Sequence, residues 1–315
     1  MDWSLVACGS YGCVFKNGGK AYKVGRESML DGERLVCHYV RGNGSPRFQR
    51  NLVLADWDVK LDTASERKLR CLMRRLGDDV HDCLGADWAD LIIGAMPYIP
   101  LTLFRLVTQH TYDPASAETV VAGLMCGVRY LHHKRLAHFD LSPTNILLDV
   151  EREVGGALRV RRSYITDFGC ALRMEESNWG DKFEAAIENP AVTSNVRPPE
   201  MMGYKETNTD DYFHPFTYKP TYLLRVVDAW SVGVLCDLVY QGAYDREKSP
   251  RWLVKPRDVK KTADDARAAR RFAAGTLSKS CLGRVVIENF LVCNPYSRAT
   301  PSLIDPEDYG TAKTL

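Results

Sequence analysis

Asp140 and Asn145 stand five residues apart in His138-Phe139-Asp140-Leu141-Ser142-Pro143-Thr144-Asn145, a polar loop that leads into the apolar run Ile146-Leu147-Leu148. A carboxylate so placed can accept the proton of an attacking hydroxyl, and an amide oxygen can ligate a metal ion. Asp167 comes 27 residues after Asp140, in Thr166-Asp167-Phe168-Gly169, and offers a second metal-binding carboxylate beside a glycine. Near the start, Ala7-Cys8-Gly9-Ser10-Tyr11-Gly12-Cys13-Val14 looks like half of a glycine-rich phosphate turn, where missing side chains let backbone N–H groups approach phosphate oxygens. A plain hairpin turn fits the same residues. Lys23 follows Gly12 by eleven residues, between apolar neighbours in Ala21-Tyr22-Lys23-Val24. A lysine there is costly to bury unless an anion meets it; an edge-strand lysine facing water is the bland alternative.

These residues need elements to hold them. Alternating apolar positions in the first 25 residues, broken at Asn17-Gly18-Gly19, predict antiparallel strands with a tight turn. Met29, Leu30, Leu35, Val36 and Tyr39 predict a helix over 27–40. Leu52 to Val59 reads as a strand, 64–76 as a basic amphipathic helix and Leu91 to Ile99 as a buried strand. Val120, Leu124, Val128 and Leu131 predict a helix over 116–136 with Ser116 as its N-cap. Short strands follow at Asn145–Leu148 and Tyr164–Thr166, and the pattern is mainly helical from residue 220. A strand-rich first third before a helix-rich remainder predicts an α+β, two-lobed plan.

Composition narrows the classes. With 315 residues, 45% hydrophobic and 26% charged, the chain can bury a substantial core, and wholesale disorder is excluded. Lys+Arg number 42 against 40 Asp+Glu, which argues against a nucleic-acid wrapper; basic stretches at 67–75 and 246–271 read as solvated faces or docking patches. The longest apolar stretch, Leu91 to Phe104, is too short to cross a bilayer and holds Pro97 and Pro100, and the first residues lack a signal-peptide pattern, so no membrane association is expected. The ten cysteines have neither CxxC nor zinc-finger spacing and are expected to be reduced thiols in a cytosolic or nuclear compartment.

Taken in order, the glycine turn, Ala21-x-Lys23, the HxDxxxxN loop and Asp167-Phe168-Gly169 resemble the signature set of eukaryotic-type protein kinases. Arg197-Pro198-Pro199-Glu200 resembles the Ala-Pro-Glu element that closes the activation segment. Asp228-Ala229-Trp230-Ser231-Val232-Gly233 is similar to the start of the family's buried central helix, and Asn294-Pro295-Tyr296-Ser297-Arg298 to its late arginine motif. The similarity runs from about residue 4 to 303. Within the superfamily, the loop sequence HFDLSPTN most resembles the herpesvirus conserved serine/threonine kinases, which are tegument proteins active in host nuclei.

The resemblance implies a bilobal protein kinase fold, with an N-lobe over 1–99 and a C-lobe over 100–315. It implies ATP and Mg2+ as cofactors and protein serine/threonine hydroxyls as substrates, with no nucleic-acid partner. By the same resemblance Val6, Gly9, Ser10, Tyr11, Gly12, Val14 and Ala21 cover the nucleotide and Lys23 contacts its phosphates. Glu33, with Val36 one turn along the same face, is the helix carboxylate that aligns Lys23, and Glu27 is the alternative. Met96 is the gatekeeper, while Pro97 C=O and Ile99 N–H reach adenine. Asp140 is the base, Asn145 and Asp167 hold the metal, and Thr193 bridges to Asp140. Two departures stand out. Ser142 replaces the usual lysine, so another cation must steady the transferred phosphoryl group. Phe139 replaces the arginine that commonly receives an activation-segment phosphate, which predicts activity independent of phosphorylation between Cys170 and Arg197. His132, His133 and His138 are expected to be structural. A pseudokinase scaffold and a small-molecule kinase of the aminoglycoside/choline type are the alternatives; Lys23, Asp140, Asn145 and Asp167 weigh against the first, Glu200 and Arg298 against the second.

Overall fold

A computed structural model describes residues 3–9, 11–42, 49–77, 80, 84, 88–174, 196–202, 220–244, 252–253 and 259–309. The chain divides into two compact units, 1–46 with 53–100 and 166–169, and 47–52 with 101–165 and 170–315. The fold is α+β, with the sheet-rich part first.

The first unit is built on an antiparallel sheet of β1 (Ser4–Gly9), β2 (Gly12–Asn17), β3 (Lys20–Arg26) and β4 (Leu91–Pro97), in that spatial order. Period-two alternation gives the sheet two chemically different faces. Cys13, Phe15 and Val24 point to one face and pack with Trp3, Leu69, Val80 and Leu84 in an apolar cluster. Part of that cover is α2 (Thr63–Leu76), whose Leu72, Met73 and Leu76 join Leu69 against the sheet while Arg67, Lys68, Arg74 and Arg75 stay exposed. Asp62 caps it by accepting Ser65 N–H at 2.8 Å. On α1 (Glu27–Gly42), Leu30, Glu33, Val36, Cys37 and Val40 form the buried stripe.

In the second unit, α4 (Pro114–His133) packs on the sheet β5 (Leu101–Thr102), β7 (Ile146–Arg152) and β8 (Leu158–Ile165), whose order is β5-β7-β8. A smaller pair joins β6 (Leu136–Ala137) to β9 (Leu172–Arg173). Further α-helices among the described residues are α3 (Leu103–Gln109), α5 (Pro199–Met202), α6 (Pro220–Tyr244), α7 (Val259–Thr276) and α8 (Leu282–Phe290). From Val226 to Gln241, α6 is buried on every side, as an apolar helix central to a bundle must be. No helix among the described residues is long and apolar enough to cross a membrane.

Several sequence expectations need correction. Leu52 to Val59 is not a strand: it makes only isolated bridges at Leu52–Ile165 and Asp56–Ala95, and Trp57 instead packs its ring where Gly94 has no side chain. The cap of α4 is Asp113, which accepts Ser116 N–H at 2.7 Å and leaves the Ser116 hydroxyl for Val160 N–H. The hairpin strands β7 and β8 run well beyond the two short segments expected. The cysteines are not all reduced: Cys8 and Cys13 form a disulfide, because the β1–β2 register sets them directly opposite with 4.1 Å between Cα atoms.

Candidate active site

In the first unit, the β-register places Val14, Lys23 and Gly94 in one cross-strand row and Ala21 beside Met96 in the next, all on the face away from the apolar cluster. Gly12 must be glycine. Its φ is +150°, and a Cβ there would lie 2.4 Å from Val24 O. A Cβ on Gly9 would meet nothing within 4 Å, so that turn has open space on its outer side. Ala21 is buried, Tyr11, Val14, Met96 and Ile99 are half-buried, and Val6 and Pro97 are exposed. Tyr98 N–H bonds to Gly19 O at 2.9 Å. Ser10 lies outside the described residues.

Lys23 Nζ is 2.6 Å from Glu33 Oε2 and 2.8 Å from Asp167 Oδ1, so three separate stretches of chain meet at one ammonium group. Glu27, the other candidate partner, instead faces Arg34 at 3.1 Å. Burial works to lower the Lys23 pKa, but the carboxylates of Glu33 and Asp167 outweigh it and hold the ammonium well above the usual lysine range. Glu33 is 3% exposed, and burial pushes its pKa up against the opposing pull of Lys23. Asp167 is different. Its side chain is 39% exposed and its backbone sits at φ 65°. A lysine held by two carboxylates, one of them partly exposed, is suited to meet phosphate and a hard cation.

In the second unit, the loop around Asp140 is pinned from below. Asp228, buried in the first half of α6, accepts the N–H groups of His138 and Phe139 at 2.9 Å each and faces His132 Nε2 at 2.8 Å. Phe139 sits at φ 67° and is 3% exposed, packed among Ala137, Met174, Met201, Leu224, Val226 and Val227. Asn145 Nδ2 donates to Asp140 O at 2.9 Å and to Asp140 Oδ2 at 3.1 Å. That leaves Asn145 Oδ1 as the atom able to ligate a metal. Ser142 is fully buried, its Oγ 2.9 Å from Thr144 Oγ1. Thr193 lies outside the described residues. Glu200 and Arg298 form a bidentate pair at 2.6 and 3.0 Å, with the arginine side chain fully buried over the Trp230 ring.

Motif order made most of these residues legible, but the contacts of three residues were not foreseen. Ser231 donates to Val196 O at 3.2 Å. Trp57 fills the space over Gly94, and Arg197 directly follows the Val196 carbonyl that Ser231 holds. Only the adjacency of Ser231 to Asp228 and of Arg197 to the Pro-Pro-Glu run could have pointed to two of them.

A family model described as protein kinase domain matches residues 89–305; Lys23, Glu33 and the glycine turn precede that stretch. The chain is 27% identical over 229 residues to sucrose non-fermenting protein kinase 1 of Fusarium virguliforme, covering 70% of this chain and 26% of the relative. It is 35% identical over 156 residues to the serine/threonine-protein kinase/endoribonuclease ireA of Aspergillus fumigatus, covering 45% and 13%. It is 28% identical over 199 residues to serine/threonine-protein kinase SRK2J of Arabidopsis thaliana, covering 62% and 48%. The chain thus spans half or less of each of these relatives.

Proposed function

The chain belongs to the protein kinase domain family, and on that premise we propose that it transfers the γ-phosphoryl group of ATP to serine or threonine hydroxyls of proteins. The observation that carries the proposal is Lys23 bonded to both Glu33 and Asp167. In the proposed mechanism Lys23 binds phosphate oxygens, and Glu33 keeps its ammonium aimed and charged. Val14, Ala21 and Met96 give adenine an apolar surface, and Pro97 C=O and Ile99 N–H read its edge. Asp140, steadied by the Asn145 amide, orients the acceptor hydroxyl and takes its proton. Asp167 and Asn145 Oδ1 would each offer the ion an oxygen donor, the chemistry Mg2+ prefers. When bound, Mg2+ supplies charge neutralisation on the phosphates.

Serine/threonine rather than tyrosine acceptors are supported by the relatives, whose names describe serine/threonine kinases. The loop sequence HFDLSPTN supports the narrower placement with herpesvirus conserved kinases of the tegument and host nucleus. Detection of the protein in purified virions would support that placement, and its absence from them would oppose it. Phe139, sealed in an apolar cluster, supports turnover without phosphorylation between Cys170 and Arg197; phosphatase treatment is expected to leave the rate unchanged, and abolition would refute this. The proposal as a whole is tested with γ-labelled ATP and a mixed protein acceptor beside small alcohols and sugars. Label on protein serine and threonine is expected. Label on the small acceptors alone, or no transfer despite nucleotide binding, would overturn it.

A further inference from the structure

Ser142 leaves the loop around Asp140 without the cation that phosphoryl transfer calls for, and its side chain cannot be recruited. It is fully buried, with Oγ held against Thr144. One turn of α6 ties down two distant backbone points in the same unit. Asp228 holds the amides of His138 and Phe139, and Ser231, three residues on along the same helix face, holds Val196 O. Asp140 follows the first anchored point by one residue and Arg197 follows the second by one. Glu200, clamped by Arg298, fixes the other end of the short Arg197-Pro198-Pro199 stretch. Arg197 therefore leaves a backbone fastened on both sides, and the residue is half-buried. The one-turn spacing of Asp228 and Ser231 brings the two anchored stretches close to each other, and the Asp140 carboxylate supports the Arg197 charge against burial.

We propose that Arg197 supplies the positive charge that neutralises the transferred phosphoryl group, in place of the lysine absent at Ser142. The inference rests on the phosphotransfer proposed above. In that step the acceptor oxygen forms a bond to the γ-phosphorus, and the bond from that phosphorus to the β,γ-bridging oxygen breaks. ADP leaves with the bonding electrons, and the hydroxyl proton passes to the Asp140 carboxylate. Arg197 exchanges no proton. Its planar guanidinium stays charged at every working pH and offers paired N–H donors to two phosphoryl oxygens, which a serine cannot do.

The test compares the full chain with Arg197→Ala, Arg197→Gln and the double variant Arg197→Ala/Ser142→Lys, using labelled ATP and a protein acceptor, with thermal midpoints recorded throughout. Arg197→Ala and Arg197→Gln are expected to lower kcat by about 10²-fold or more, the usual cost of removing one transition-state charge donor, with KM for ATP little changed. Guanidinium ion added to Arg197→Ala is expected to restore part of kcat while leaving wild type unaffected, and Ser142→Lys to restore part of it in cis. Because Ser142 is buried, the guanidinium readout stands even where the double variant unfolds. A wild-type kcat in either single variant overturns the inference and leaves the proposed function standing. A loss that guanidinium cannot repair makes Arg197 structural and also overturns it. A wild type that transfers no phosphate overturns both.

Discussion

Arg298→Leu isolates the energetic consequence of the second unit's best-defined contact. The guanidinium has no exposed surface, and it bonds Glu200 twice, Val226 O at 2.8 Å and Val292 O at 3.0 Å. Leucine fills much of the volume and supplies no donor. Glu200, 5% exposed, then keeps a buried charge with no cation, alongside carbonyls that lose their partner. Removing one member of such a pair costs about 3–5 kcal/mol, most of it the price of the stranded charge. At ~2–4 °C per kcal/mol for a unit of this size, the midpoint of thermal unfolding should fall by roughly 6–20 °C. Glu200→Gln alone should also destabilise. The double variant Arg298→Leu/Glu200→Gln should recover part of the combined loss, giving a coupling energy on the order of 1–3 kcal/mol. Circular dichroism melts of the four proteins measure it. A shift under about 2 °C for Arg298→Leu, or additive single effects, would show that the pair contributes no net stability and refute the reasoning.

Three further outcomes concern Lys23, Gly12 and the cysteines. Because the folded pKa of Lys23 is raised, its contribution is fully present below the ordinary lysine value of 10.5 and is lost as pH rises past it; the stability gap between wild type and Lys23→Met should stay open up to that pH and close above it, and a gap closing between pH ~7 and ~9 would contradict the triad. Gly12→Ala should lower the urea midpoint by the equivalent of ~1–3 kcal/mol while Gly9→Ala leaves it nearly unchanged, and equal effects would argue against the close approach of Gly12 to Val24 O. Thiol titration of the unfolded chain should find two more groups after reduction than before; in the native protein exposed Cys71 should alkylate quickly, while buried Cys37, its pKa pushed up to about 11, and buried Cys236 should be protected.

The sequence carried the site's chemistry further than its scaffolding. Apolar neighbours left Lys23 either buried against an anion or facing water from an edge strand, and it is buried; helical periodicity set Glu33 on the inner stripe of α1 with Val36. Strands β1 to β3 were legible from alternation and the Asn17-Gly18-Gly19 turn. Pairing of Cys8 with Cys13 was not legible, because it depends on a hairpin register rather than on a metal-like spacing. The segment Leu52 to Val59 has strand composition, yet its partners offer only single bridges, so tertiary context overrode propensity. Ser116 resembled a cap as well as Asp113 did, and only the closing hydrogen bond distinguishes them. Asp228 carries no chemistry of its own. Its importance is visible only once two amides, far away in sequence, end on its oxygens.

Phosphoryl transfer by Asp140→Asn, measured in a single turnover with γ-labelled ATP at nucleotide concentrations that saturate both proteins, tests the proposed chemistry most directly. Removing the base while leaving Lys23, Glu33 and Asp167 in place should keep ATP binding and slow transfer by about 10²–10⁴-fold relative to wild type. Equal transfer rates in the two proteins would contradict a base at Asp140 and the phosphotransferase mechanism built on it.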